Sequence, residues 1–273
     1  MPFTHITLND GRKMPAIAFG TAKIPDAASN ISQAIKVGFT HIDTAQNYGT
    51  ETDVGLAIKS SDLPRQDLWI TTKWSNVDDK SPRQSITESL ENLGVEYVDL
   101  YLIHSPSFQK GRGEIQDWWK EFEALYEEGL AKSIGVSNFT KEQMEELLLH
   151  ATIKPVVNQI FLHPYNIVTQ GPLVASLAEQ NIVTEGYSTL MPLTSMPGGP
   201  VDKPVEEIAK RLGKTPEQVL LAWSKAKGVV IVTTSCKKDR LESYLEVGDI
   251  TLSPQDVDAI DEAGKTGFVG VMN

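Results

Sequence analysis

Apolar residues in this chain come in short runs separated by polar loops, with longer segments of helical spacing between them. The runs cover residues 16–19, 41–42, 68–70, 98–103, 131–136, 156–160, 182–183 and 229–232. Each reads as a short buried strand. Residues 27–37, 81–93, 141–150 and 216–226 repeat apolar positions with the period of an amphipathic helix. Their starts carry capping chemistry. Proline follows Ser81 and Thr215, at the first helical position, and Thr140-Lys141-Glu142-Gln143 resembles a capping box. Eight strands alternating with helices over about 250 residues is the arithmetic of a (β/α)8 TIM barrel. An open doubly wound sheet competes, but it usually shows a glycine-rich turn after its first strand. That turn reads Phe19-Gly20-Thr21-Ala22-Lys23, without the required glycine spacing. Residues 5–8 and 12–14 flank Asn9-Asp10-Gly11, which is strong hairpin-turn chemistry. An N-terminal β-hairpin capping the bottom of the barrel is therefore expected. No linker or low-complexity block divides residues 1–273, so a single barrel domain is expected.

Composition narrows the functional classes. The 273 residues are 40% hydrophobic, enough to fill a core, and the net charge is −11. So acidic a surface is a poor partner for nucleic acid or anionic lipid, and neither is expected as a partner. No apolar run approaches the roughly 20 residues that span a bilayer. The N-terminal residues lack an apolar signal core. Cys236 is the only cysteine, so no intrachain disulfide can form. A cytoplasmic location follows as an expectation.

In such a barrel, chemistry gathers where strands end at the C-terminal face. The second strand runs into Asp43 and then Tyr48, the third ends at Lys73, and the fourth ends at His104. Singly, each has an ordinary explanation: a turn aspartate, a loop aromatic, a solvated amine, a structural histidine. Together, on consecutive strands, they form a coherent proton-transfer set. A phenol with a pKa near ~10 exchanges protons poorly around neutrality, and a nearby ammonium lowers that pKa. Lys73 can supply the ammonium, Asp43 can pair with it, and His104 can hydrogen-bond a carbonyl oxygen. No G-x-S-x-G elbow points to acyl transfer. No His/Cys cluster has the spacing of zinc ligands, so no metal is expected.

These residues stand in longer motifs. The stretch from Phe39 to Glu51 resembles the G-[FY]-R-x-[IFL]-D-[ST]-A-x-x-Y-x-N-E signature of the aldo-keto reductases, departing from it at two non-catalytic positions, one of them Thr50 in place of its asparagine. Gly135-Val136-Ser137-Asn138-Phe139 is similar to that family's G-[LIV]-S-N-F segment. Asn158-Gln159 with His163-Pro164 is similar to its N-Q-x-x-x-H-P segment. The resemblance extends to about Ala263, and is also seen with fungal members that reduce conjugated polyketones or ketopantoyl lactone. It implies that Asp43, Tyr48, Lys73 and His104 are the catalytic tetrad. It implies a nicotinamide cofactor, NADPH with NADH as the alternative, lying across the barrel mouth. Ser137, Asn138 and Gln159 would hold the carboxamide, Tyr187 would stack on the ring, and Ser188, Thr189 and Leu190 would line the pyrophosphate. Ser235, Lys237 and Arg240 would take the 2′-phosphate, with Lys238 beside them. Thr234 stands where relatives often carry a lysine, and Ser243-Tyr244 where they often carry Glu-Asn.

The implied reaction is reversible reduction of aldehydes or ketones, α-keto esters and dicarbonyls included, by a monomeric enzyme. His104 and Trp74, directly after Lys73, are the candidate substrate contacts. Residues 105–113 and the Pro- and Gly-rich residues 191–204 would shape an open pocket, with no long C-terminal flap. Trp118-Trp119 falls in residues 117–128, which read as a helix, so packing is the expected role of both. A nicotinamide-binding regulatory barrel, related to potassium-channel β subunits, is the alternative function. A phosphate-sugar isomerase barrel would need a glycine-rich phosphate loop that Gly186-Tyr187-Ser188 does not supply.

Overall fold

The computed structural model describes residues 3–109 and 113–267. Around Asn9-Asp10-Gly11, β1 (His5–Thr7) and β2 (Lys13–Pro15) pair antiparallel, as the turn chemistry predicts. Eight strands then close a parallel barrel. They are β3 (Ile17–Gly20), β4 (His41–Asp43), β5 (Trp69–Trp74), β6 (Leu100–Ile103), β7 (Ile134–Ser137), β8 (Val157–Phe161), β9 (Val183–Tyr187) and β10 (Val230–Thr233). Each pairs with the next, and β10 returns to β3 with Val232 opposite Ala18. All eight apolar runs are thus barrel strands. Two strands outlast their runs by several residues: β5 continues through Thr71-Thr72-Lys73 and β9 through Thr184-Glu185-Gly186. Both faces of a barrel strand are enclosed, so polar residues can continue a strand when they find partners inside.

The helices are α1 (Ala27–Val37), α2 (Glu51–Ser60), α3 (Pro82–Leu93), α4 (Ile115–Glu127), α5 (Lys141–His150), α6 (Ile167–Glu179) and the short α7 (Met191–Thr194). After these come α8 (Asp202–Leu212), α9 (Pro216–Ala226), α10 (Lys238–Leu245) and α11 (Pro254–Lys265). Ser81, Thr140 and Thr215 each accept the N–H of a glutamine three residues on. Gln84, Gln143 and Gln218 return the bond to the cap's own N–H. These reciprocal bonds satisfy helix-end donors that would otherwise be orphaned.

The core has two parts. One lies between the barrel wall and the helices. The other fills the lower barrel, where Leu8 and Met14 of the hairpin pack on Trp69, Leu100, Leu102, Val157 and Val230. The hairpin is also tied by polar contacts. Ser133 Oγ donates to Asp10 at 2.6 Å, and Arg12 reaches Asp99 at 2.9 Å. The lower barrel is therefore plugged and apolar, and the polar side chains inside β4, β5, β8 and β9 lie above it.

Candidate active site

Strand alternation decides what faces the barrel axis. On β5, Trp69 packs in the lower core, and Thr71 and Lys73 meet β4 side chains inside. Thr72 faces the other way and donates to Glu51 of α2 at 2.6 Å. Trp74 follows that outward parity. It is 1% exposed, packs edge-on against Trp118 and near Phe122, and donates its indole N–H to Lys80 O at 2.9 Å. The expectation that Trp74 walls the substrate pocket is therefore corrected: next to an inward Lys73, it must point into the helix layer. Trp118 and Trp119 are buried packing residues, as the helical pattern predicts.

Lys73 is wholly buried. Its Nζ donates to Asp43 Oδ1 at 2.7 Å and to Thr44 O at 2.9 Å. Burial works against its charge, but Asp43, with Tyr48 and Glu185 adding to it, prevails and raises the pKa above the usual lysine value. The ammonium is thus permanent. It lies 5.0 Å from the ring centre of Tyr48, which sits on the turn after β4. Sequence reasoning has Lys73 lowering the phenol pKa, and Lys73 does pull in that direction. Burial is the larger influence, however, and Tyr48 stands above its ordinary value. The resting residue is a neutral phenol, held ready to give a proton.

His104 follows β6 and meets Tyr48 edge to face, with Nε2 3.5 Å from the phenol oxygen. Its Nδ1 lies 2.6 Å from Ser75 Oγ. Burial, with Lys73 adding to it, lowers the imidazole pKa to about 3, so His104 is neutral. Phe108 stacks edge-on against it from the loop that follows and is partly exposed. Residues 110–112 of that loop, and the chain after residue 267, lie outside the described residues.

A cleft of about 590 Å³ opens above this cluster. Asp43, Tyr48 and His104 line it together with Ser137, Asn138, Gln159 and Tyr187. Gln159 Nε2 donates to Asp43 Oδ2 and to Glu185 Oε2, both at 2.8 Å. Ser137 Oγ donates to Gln159 O at 2.9 Å. The Asn138 amide is engaged at both ends. It donates to His104 O and Ser137 Oγ, and accepts from Tyr187 OH at 2.8 Å. Asn138 and Ser188 both hold left-handed backbone, at φ of 60° and 64°. Asparagine tolerates that conformation better than most residues.

Ser188, Thr189 and Leu190 also line the cleft, as does Arg240. Ser235 and Lys237 do not. Ser235 Oγ accepts the N–H of Lys237 at 3.1 Å, shaping the turn into α10, and Lys237 is exposed there. Lys238 is paired with Glu242 at 3.3 Å. Of the predicted phosphate group, Arg240 alone reaches the cleft wall. Among the residues that sequence reasoning leaves unassigned to the site are Lys23 and Tyr244 on the cleft wall and Glu185 beneath it. Lys23 follows β3 in a turn that was informative only for the glycines it lacks. Tyr244 lies on α10, past the phosphate segment. Glu185 stands beyond the point where the apolar run of β9 ends.

Parallel eight-stranded closure with an ionisable cluster at the C-terminal mouth defines a TIM-barrel enzyme. A family model described as "Aldo/keto reductase family" matches residues 16–265, and the chain belongs to that family of oxidoreductases. It is 37% identical over 260 residues to an NAD/NADP-dependent indole-3-acetaldehyde reductase of Schizosaccharomyces pombe, covering 92% of this chain and 91% of that one. It is 38% identical over 271 residues to a glyoxal reductase of Bacillus subtilis, covering 97% and 94%. An aldo/keto reductase structure from Brucella melitensis superposes with a TM-score of 0.86 at 36% identity, covering 96% of this chain and 99% of that one. An aldo-keto reductase from Bombyx mori, solved with NADP, gives 0.87 at 31%, covering 95% and 92%. The expectations of family, fold and nicotinamide cofactor class agree with these likenesses. Among the described residues no His/Cys/Asp/Glu cluster could hold a metal ion, and no helix is long and apolar enough to cross a membrane.

Proposed function

We propose that this chain reduces aldehydes, ketones and small dicarbonyl compounds with NADPH, NADH serving as the alternative donor. The observation that carries this reading is the buried Lys73–Asp43 pair beside a neutral Tyr48, with neutral His104 at its edge. The printed activities of the glyoxal and indole-3-acetaldehyde reductases support the substrate class. The residues present fit a dinucleotide. Gln159 turns both N–H groups down to carboxyl oxygens, which leaves its carbonyl oxygen for a carboxamide. Thr189 Oγ1 is buried without a partner at the cleft. Arg240 and Lys23 offer cations along its wall, and an arginine fork suits phosphate.

When bound, the cofactor supplies the hydride that reaches the carbonyl carbon. Tyr48 gives its proton to the carbonyl oxygen as that atom becomes an alkoxide. Lys73 stabilises the phenolate left behind, and Asp43 keeps Lys73 charged and fixed in place. With the Ser75 hydroxyl donating to Nδ1, Nε2 of His104 carries the hydrogen and orients the carbonyl oxygen. A positioned acid contributes a factor of about 10²–10⁴. Tyr48→Phe should lower turnover of a reactive aldehyde by at least about 100-fold, with NADPH affinity nearly unchanged by fluorescence titration. Near-wild-type turnover in that variant would overturn the assignment. Cofactor binding without turnover of any carbonyl, in the wild type, would favour a regulatory barrel.

A further inference from the structure

The cluster holds one more acid than the proton-transfer scheme uses. Glu185 projects from β9 into the barrel and is wholly buried. The same Gln159 nitrogen that donates to Asp43 donates its other hydrogen to Glu185 Oε2. One amide is therefore bracketed by two carboxyl groups. From β4, Asp43 and His41 face Glu185; from β5, Lys73 does; β8 presents the uncharged Gln159, and β10 places Val230 opposite it. Lys73 already pairs with Asp43.

His41 does not supply a second cation. Its Nδ1 lies 3.3 Å from the Pro15 carbonyl oxygen, which can only accept, so Nδ1 carries the hydrogen. Its Nε2 then accepts from Thr71 Oγ1 at 2.9 Å. Burial lowers its pKa to about 4. Glu185 Oε1 lies 3.8 Å from that nitrogen and has no hydrogen-bond partner. Two carboxylates on one amide, with one ammonium to balance them, would leave a net negative charge buried, which is costly. Burial, reinforced by Asp43, accordingly pushes the Glu185 pKa up to about 8.

We propose that Glu185 is a positioning residue for the nicotinamide: as a neutral acid it holds Gln159 with its carbonyl oxygen toward the cleft, and on ionising it favours the oxidised, cationic cofactor over the reduced one. The first part follows from hydrogen bonding. Both N–H groups of Gln159 are directed at carboxyl oxygens, so the amide has one satisfied orientation. The second follows from charge. A carboxylate one side chain from the carboxamide subsite attracts a nicotinium and is indifferent to a dihydronicotinamide. This inference rests on the cofactor reading above.

Affinities for NADP+ and NADPH measured by calorimetry between pH 6.5 and 9.5 test it. Their ratio cancels the adenosine half, which both forms share. In the wild type the ratio should shift toward NADP+ several-fold as pH rises, approaching about tenfold if the pKa moves by one unit. E185Q retains an acceptor for Gln159 but cannot ionise, so its ratio should stay flat. Parallel pH dependence in wild type and E185Q would overturn this inference and leave the cofactor reading intact. Failure of both forms to bind the wild type would overturn the cofactor reading and this inference with it. Infrared difference spectra of the wild type alone add a readout independent of cofactor and of the variant's folding. A buried protonated-carboxyl stretch should vanish between pH 7 and 9. Its absence at pH 7 would overturn the inference.

Discussion

Lys73 shows how a single residue's role depends on what shares its burial. Alone, a wholly buried ammonium would shed its proton. Here Lys73 donates hydrogen bonds to Asp43 at 2.7 Å and to the Thr44 carbonyl at 2.9 Å, so the charge persists. The pair is interdependent. Lys73→Met should cost about 3–5 kcal/mol in urea unfolding, because Asp43 is then left buried beside Gln159 without its cation. Adding Asp43→Asn removes the orphaned charge and should restore more than half of that loss. Equal destabilisation in the single and double variants would show that lost packing, not lost pairing, sets the cost. Tyr48 follows the same logic in the opposite sense. Its surroundings oppose ionisation more than Lys73 promotes it, so in the proposed reaction proton release would be coupled to the appearance of negative charge on the substrate.

At the scale of elements, the site depends on strands held in register by helices behind them. The helix α11 lies against the turn after β8, the strand that carries Gln159. Contact there is backbone to backbone. A Cβ on Gly264 would stand 2.2 Å from Pro164 O, inside any tolerable contact. Gly264→Ala must therefore push α11 off this turn. It should destabilise the protein by about 1–3 kcal/mol, the usual cost of overpacking. Thermal unfolding checks this, and an unchanged Tm would show that the helix yields freely. His104 and Ser188 directly follow β6 and β9, and Arg240 sits on α10 after β10, so the mouth is assembled from segments that leave three different strands.

The whole molecule carries opposing titrations, and their sum sets how stability responds to acid. His41, His104 and His163 have pKa values lowered by burial to about 4, 3 and 4. A histidine lowered on folding contributes in full above its unfolded value of 6.5, and that contribution is lost as pH falls toward the folded value. Glu185 acts in reverse. Its raised pKa of about 8 favours the fold at low pH, and that benefit fades as pH rises from 4.5 through 8. Between pH 7 and 5.5 the three histidines outweigh the one acid, and stability should fall by about 2 kcal/mol. E185Q removes the opposing contribution and should deepen the fall to about 4 kcal/mol. Urea titrations at the two pH values check both; a flat profile in the wild type would show that these histidines are not neutral in the fold. The net charge of −11 leaves room for an anionic ligand because Lys23 and Arg240 border the cleft.

Features that depend on neighbours in the chain were legible without a structure. Strand count, the positions of α1, α3, α4, α5 and α9, and the capping boxes at Ser81, Thr140 and Thr215 follow from local periodicity and short-range hydrogen bonding. The tetrad candidates were legible because each ends or follows a strand within recognisable motifs. The tertiary structure decided whatever depends on parity and on sums across distant strands. It turned Trp74 into the helix layer while Lys73 points inward. It drew only Arg240 of the predicted phosphate group to the cleft and added Lys23 and Tyr244. It placed Gln159 on Asp43 across 116 residues of sequence and set Glu185 on the same amide. It also made burial, rather than Lys73, the dominant influence on Tyr48. Desolvation and pairing depend on everything surrounding a group in space, and most of those surroundings come from strands far away in the chain.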